Sequence, residues 1–375
     1  MSFNQYTWDL YKQTTIGIEM IKYFSDAGGY VLFKDYCPYA NFIPEDLYND
    51  WLENIYCYGV SDYDHPSLLE EAKDLYISLI TLGIRVEGQQ WLPANDFKNM
   101  LGIIQPMSYV LSQFAPEYFF PYLFLCRIFE LNKIADFFNI DLPNIPKRTD
   151  YKGRCMYYWE LCEVFYLFRK ENGLSPADLW SFLYDFAPNN LPSEKIDMPK
   201  PSQVWFIGGR LYQEDKSLES KFWQSSPETK KGDILVHYET SPISAITCIE
   251  ISLTDGVIDP LFRYYGCIYI GNRINIPHIT LKELQTDEYF FKHPLVRKNF
   301  QGVNGWSVNS ENYSELLRMI KTKGFDIEVL PKLYAPTLPK DVIIEYEHDV
   351  EQQLLEPLLN SMGWYENKDF IRQLP

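Results

Sequence analysis

Gly232-Asp233-Ile234-Leu235-Val236-His237-Tyr238 opens an apolar strand at a Gly-Asp turn. Roughly sixty residues on, Asn299-Phe300-Gln301-Gly302-Val303-Asn304-Gly305-Trp306 makes an Asn/Gly/aromatic loop ahead of a helix. Around these two segments the texture is that of short strands. Residues 204–208, 243–252 and 264–270 are rich in Ile, Val, Tyr and Trp and are bounded by turn residues, the pattern of strands on a pleated, half-buried surface. Two helices interrupt them, at 279–290 and 313–321. Thr280 with Glu283 three positions on is capping-box spacing for the first. Strands with two inserted helices predict a small barrel or curled sheet over 203–330.

The flanks read differently. Residues 1–195 are helical in pattern. Apolar spacing predicts a helix over 68–82 after Pro66-Ser67, one long helix or two over 116–139 with Pro121 near a start, and a helix over 157–170. Ser175 before Pro176 starts another that runs to about 185. The proline-rich stretch 187–202 reads as a linker, and 331–340 as a second. An amphipathic helix over 345–361 follows, ended by Gly363. The expected class is therefore α+β and multidomain, with a helical domain at 1–195, a barrel at 203–330 and a C-terminal segment at 341–375.

The chain carries 34 Lys/Arg against 51 Asp/Glu, a net charge of −17. Nucleic-acid binders draw affinity from phosphate contacts and are usually basic, so the total argues against that class. The excess is uneven: residues 200–330 hold 15 Lys/Arg against 16 Asp/Glu, and the remainder holds 19 against 35. The seven cysteines include no CxxC pair, and the five histidines are scattered, which points to neither a disulfide framework nor a zinc site. No cofactor is expected. The N-terminus lacks the basic-then-apolar order of a signal peptide, and the apolar run 118–129 is broken by Pro121 and Arg127, short of a membrane span. A cytoplasmic protein without membrane partners is the expectation.

Trp205-Phe206 in the first strand, Trp223 before a turn, Lys231-Gly232-Asp233, Thr240-Ser241-Pro242, Asp259 and the Asn299-Phe300-Gln301-Gly302 loop occur in an order that resembles the PUA-like β-barrels of the EVE and YTH type. That resemblance covers about a third of the chain and implies a domain that holds a single base, often a modified one. Elementary chemistry agrees with it. Trp205, Trp223 and Tyr238, with Phe300, offer aromatic faces on which a base stacks for ~1–3 kcal/mol. Thr240, Ser241, Asn299 and Asn304 offer donors and acceptors for its edge. The same aromatics serve as core residues if strand alternation turns them inward. Lys230, Lys231, Arg297 and Lys298, with Lys216 and Lys221, are the candidate phosphate contacts, although the stretch ahead of Lys231 is Ser/Thr/Pro-rich rather than basic.

The C-terminal stretch, acidic at its start, with Leu354-Leu355-Glu356-Pro357-Leu358-Leu359, Gly363-Trp364 and then Arg372-Gln373, resembles the opening of the nuclease domain of type I restriction-enzyme R subunits. In that family a helix carboxylate joins a Mg²⁺ site, and Glu347 or Glu351 would be its match. The Asp and Glu-x-Lys that such a site also needs do not follow in this sequence. No phosphate loop, nucleophile elbow or HExxH occurs. The basic run Lys147 to Arg154 is either a docking patch or an exposed loop. Together these residues lead to a non-catalytic nucleic-acid sensor of a modified base in a restriction or defence context. DNA ranks ahead of RNA as partner, with nuclease or helicase subunits as associated proteins. The alternatives are a protein-interaction adaptor whose barrel holds no ligand, and a part of a Mg²⁺-dependent restriction endonuclease.

Overall fold

The computed structural model describes residues 3–37, 40, 43–83, 85–86, 89–90, 92–192, 198–210, 220–334, 343–362 and 364–371. The chain divides into two compact units. The first comprises 1–194 together with 259–265, and the second 195–258 with 266–375. The fold is α+β. Among the described residues no helix is long and apolar enough to cross a membrane.

Among its described residues the first unit is built of helices and loops, apart from the short strands β1 (Arg85–Val86) and β2 (Gln89–Gln90). Many of its aromatic residues are spent on packing: Phe33 stacks on Tyr48 at 3.7 Å, and Trp8 meets Phe182 and Phe186 edge-on. Helices form at Leu69–Leu82, Tyr151–Glu171 and Pro176–Ser181, the last with Ser175 and Asp178 in a capping box. The pattern at 116–139 is a helix only over Ile128–Phe138. Pro116 and Pro121 remove donors from the preceding stretch, and Cys126 takes a left-handed φ of 59°. That buried, non-helical stretch has its backbone satisfied by side chains. Tyr158 Oη donates to Phe120 O at 2.7 Å, Tyr184 Oη donates to Pro121 O, and Tyr122 N donates to Ser108 Oγ at 2.8 Å. The start of the expected 187–202 linker, Ala187–Asn190, continues the preceding helix.

Arg154 is not part of an exposed basic loop. It is 1% exposed and grips residues 259–265, donating from Nε to Pro260 O at 2.8 Å and from Nη2 to Phe262 O at 2.6 Å. Its guanidinium also lies over the rings of Tyr151 and Tyr265. Asp259 turns this loop by accepting from the backbone of Leu261 and Phe262.

The second unit is built on a mixed sheet of β3 (Val204–Gly209), β4 (Ser220–Gln224), β5 (Ile234–Glu239), β6 (Ala245–Ser252), β7 (Val257–Ile258), β8 (Gly266–Thr280) and β9 (Trp306–Val308). The order is β4-β8-β6-β5-β3-β9, with β7 also on β8. β3 and β5 are parallel and the other pairs antiparallel. The expected 264–270 strand is the start of β8, which runs for 15 residues. Register shifts in its pairing with β6 let so long a strand bend. One face of the sheet carries a large core shared with the helices Leu281–Thr286 and Ser310–Thr322, and the other a small core of Trp205, Ile207, Leu235, Ile268 and Ile270. Thr280 and Glu283 form the capping box of the first helix.

The C-terminal segment belongs to this unit. Its helix runs through Glu347–Val350, a π turn at Glu351–Leu355 and Glu356–Ser361. Beyond it, Asp369 pairs with Lys230, whose ammonium also lies 4.8 Å from the Trp364 ring, and Lys368 pairs with Asp255 at 2.6 Å. The expected Arg372-Gln373 strand and Lys216 lie outside the described residues.

Candidate functional site

The Gly-Asp turn is a structural hub. Gly232 adopts φ 92°, and an added Cβ would come within 2.5 Å of Pro199 O, so only glycine fits. Asp233, 1% exposed, accepts from the backbone of Gln203 (3.1 Å) and Lys230 (2.8 Å) and from Trp205 Nε1 (2.9 Å). Burial pushes its carboxyl up, and these hydrogen bonds oppose that shift. Trp205 is thereby fixed in the small core, 3% exposed. It is a packing residue and not a pocket wall.

The opposite end of β3 and β5 is where aromatic and polar groups meet at the surface. Trp223 is part-exposed. Its Nε1 donates to Asn304 Oδ1 at 3.2 Å. Asn304 also pairs with the backbone of Gly208, accepting from its N–H and donating to its carbonyl, both at 2.9 Å. An added Cβ on Gly209 would lie 2.6 Å from the Trp223 ring, so the indole rests directly on the glycine backbone. Thr240 joins this end, its N–H donating to Gly209 O at 3.1 Å. Of the expected pocket residues, Trp223, Asn304 and Thr240 are brought together. Arg210, exposed just past β3, lies at the same end.

Behind Trp223 sits a chain of ionisable groups, with His237 and Glu250 buried, that sequence reading missed. The His237 ring meets the indole edge-on at 4.8 Å. His237 Nδ1 lies 3.0 Å from Glu250 Oε2, and Arg273 binds the other oxygen of Glu250 at 2.7–2.8 Å. Burial alone would raise the Glu250 carboxyl, but His237 and Arg273 outweigh it and hold it below its usual value. His237 Nε2 is buried without a hydrogen-bond partner among the described residues. Three strands supply this chain, so no sequence motif announces it. Its signal is a His, a Glu and an Arg inside otherwise apolar strands.

His237, Cys248 and Glu250 place one ligand atom each within 4.8 Å of one another. Their chemistry does not favour a metal: Arg273 already neutralises Glu250, and burial pushes the Cys248 thiol up to about 12, which disfavours the ligating thiolate.

The other expected site residues lie elsewhere. Tyr238 and Phe300 are each 4% exposed and stack on one another, ring centroids 4.0 Å apart at 2°, inside the large core. They are core, not a cage. Phe300 and Asn299 both take left-handed backbone, and Asn299 accepts from Gln285 at 3.0 Å. Ser241, Arg297 and Lys298 are exposed. Lys230 and Lys231 precede β5 while His237 is near its end, and a six-residue strand spans roughly 20 Å. Lys230 is in addition occupied by Asp369 and Trp364. Glu347 and Glu351 stand on the last helix.

No family model matches the chain, and no curated protein matches it. A solved NMR structure, that of Rpa0253 from Rhodopseudomonas palustris, is similar with a TM-score of 0.28 and 14% identity, over 32% of this chain and 94% of that one.

Proposed function

We propose that the second unit reads a single unpaired or flipped base, in a modified form, in the setting of a restriction-type defence system, and that it binds without cutting. The observation that carries this reading is Trp223: an indole anchored by Asn304, seated on Gly209 and still part-exposed. A rigid, open indole beside backbone donors and acceptors is what base stacking requires. The buried His237, whose Nε2 has no hydrogen-bond partner among the described residues, adds a polar group behind that platform. The EVE-type resemblance of 203–330 and the near-neutral charge of that region support the same reading. DNA ranks ahead of RNA, and nuclease or helicase subunits are the proposed associated proteins. A catalytic role for Glu347 or Glu351 would need further metal ligands.

The test is binding of the whole chain to paired oligonucleotides, DNA and RNA, that differ only in one modified base. A preference for a modified form is expected. Equal binding, or none, across the panel refutes the reading. Trp223→Ala should weaken binding about 5- to 100-fold, the stacking range, at unchanged fold. Lys230→Ala should change it little, because Asp369 already holds that ammonium.

A further inference from the structure

The first unit holds a cavity of about 400 Å³, within the size range of ligand pockets, that the base-reading proposal does not use. Glu53, Tyr56, His65, Tyr109, Gln113 and Phe114 line it. Its walls come from the helix Glu45–Ile55, the π turn Tyr56–Val60 that follows, and the helix Ile104–Phe114. Gly29 lets these walls approach: an added Cβ would meet Leu52 at 3.0 Å and Tyr109 at 3.3 Å. Phe114 is nearly buried, and His65 lies flat on it at 4.2 Å and 15°. Tyr56 is 48% exposed, and Glu53 is exposed beside it.

We propose that this cavity is the docking site for an arginine side chain on a basic segment of a partner protein. Charge selects the class. Residues 45–74, which supply Glu53, Tyr56 and His65, hold nine Asp/Glu and a single lysine, Lys73. Such a field repels phosphates and draws in cations. The rings select within the class. A guanidinium is planar, stacks on aromatic faces and forks onto a carboxylate, whereas an ammonium is a point charge with no face to stack. Glu53 supplies the carboxylate, and Tyr56 with the His65–Phe114 pair supplies the faces. A wholly apolar helix would bury Glu53 without a partner, which is costly.

The experiment titrates the full chain with ten-residue peptides rich in arginine, in lysine or in glutamate, read by calorimetry at low and high salt. The arginine peptide should bind, the lysine peptide more weakly by about threefold or more, and the glutamate peptide not at all. Glu53→Gln and Tyr56→Ala should each weaken the arginine peptide by about fivefold, the size of one exposed cation–π or ion-pair contact. Glu70→Gln, in the same acidic stretch but away from the cavity, should change it by less than about twofold. Equal binding of the arginine and lysine peptides, equal losses for Glu70→Gln and Glu53→Gln, or a plain oligonucleotide competing for the site would each overturn the proposal. The variants alter exposed side chains, so their far-ultraviolet circular dichroism should match that of the parent.

Discussion

Asp233 and Trp223 show how far a single residue can be read from its neighbours. The Gly-Asp turn is legible as a strand start, but its carboxylate does more: it ties the starts of β3 and β5 together and anchors Trp205. Asp233→Ala strands several buried donors, and a cost of about 2–4 kcal/mol follows. Urea denaturation should show it as a lower midpoint at unchanged slope. Which tryptophan opens to solvent was not legible. Trp205 and Trp223 both sit in β-type runs, and the difference lies in what each meets: Trp205 a buried carboxylate, Trp223 a glycine without a Cβ. The Tyr238–Phe300 stack was hidden for a similar reason, since 62 positions separate partners that only the folded sheet brings face to face. The link from His237 through Glu250 to Arg273 was hidden too, because strand pairing and not spacing assembles it.

At the scale of elements, periodicity located most helices and strands, and failed where prolines and buried side chains took over. The stretch ahead of Ile128 has the apolar composition of a helix, yet its backbone partners are the hydroxyls of Tyr158, Tyr184 and Ser108. Those partners are remote in sequence and cannot be counted from a local window. The loop 259–265 is a second case. It follows a strand of the second unit, yet Arg154 of a helix in the first unit holds it by two carbonyls and the Tyr265 ring. Arg154→Ala should leave those buried carbonyls unpaired at a cost of about 2–4 kcal/mol. Trypsin cleavage after the exposed Arg263 should then accelerate well before the helical signal is lost. An unchanged cleavage rate would mean that Tyr265, whose hydroxyl donates to Pro146 O at 2.6 Å, holds the loop alone.

At the scale of the whole molecule, the charge balance was legible in full and the origin of its pH response was not. Burial raises the Asp259 carboxyl from 3.8 to about 6. Between those values the folded chain keeps a proton that the unfolded chain has released, so stability falls as pH rises through the window. The loss sets in above about 4 and is complete by about 7. Asp259→Asn keeps an oxygen for the Leu261 and Phe262 amides and removes the titration. Its thermal midpoint, taken relative to the parent, should therefore climb as pH goes from 4 to 7 and then level off. A flat difference would place the titration elsewhere. The same seven residues bear on how this gene can be divided or recombined. Because the chain leaves the second unit at Ile258, completes the first, and returns at Gly266, no single breakpoint separates two self-sufficient pieces. A fragment ending near residue 194 lacks the Pro260 and Phe262 carbonyls that Arg154 binds, and one starting there carries a buried carboxylate with nowhere to be buried. Exchange of either half with another protein would have to carry the short loop along, so the two units are expected to be inherited as a pair.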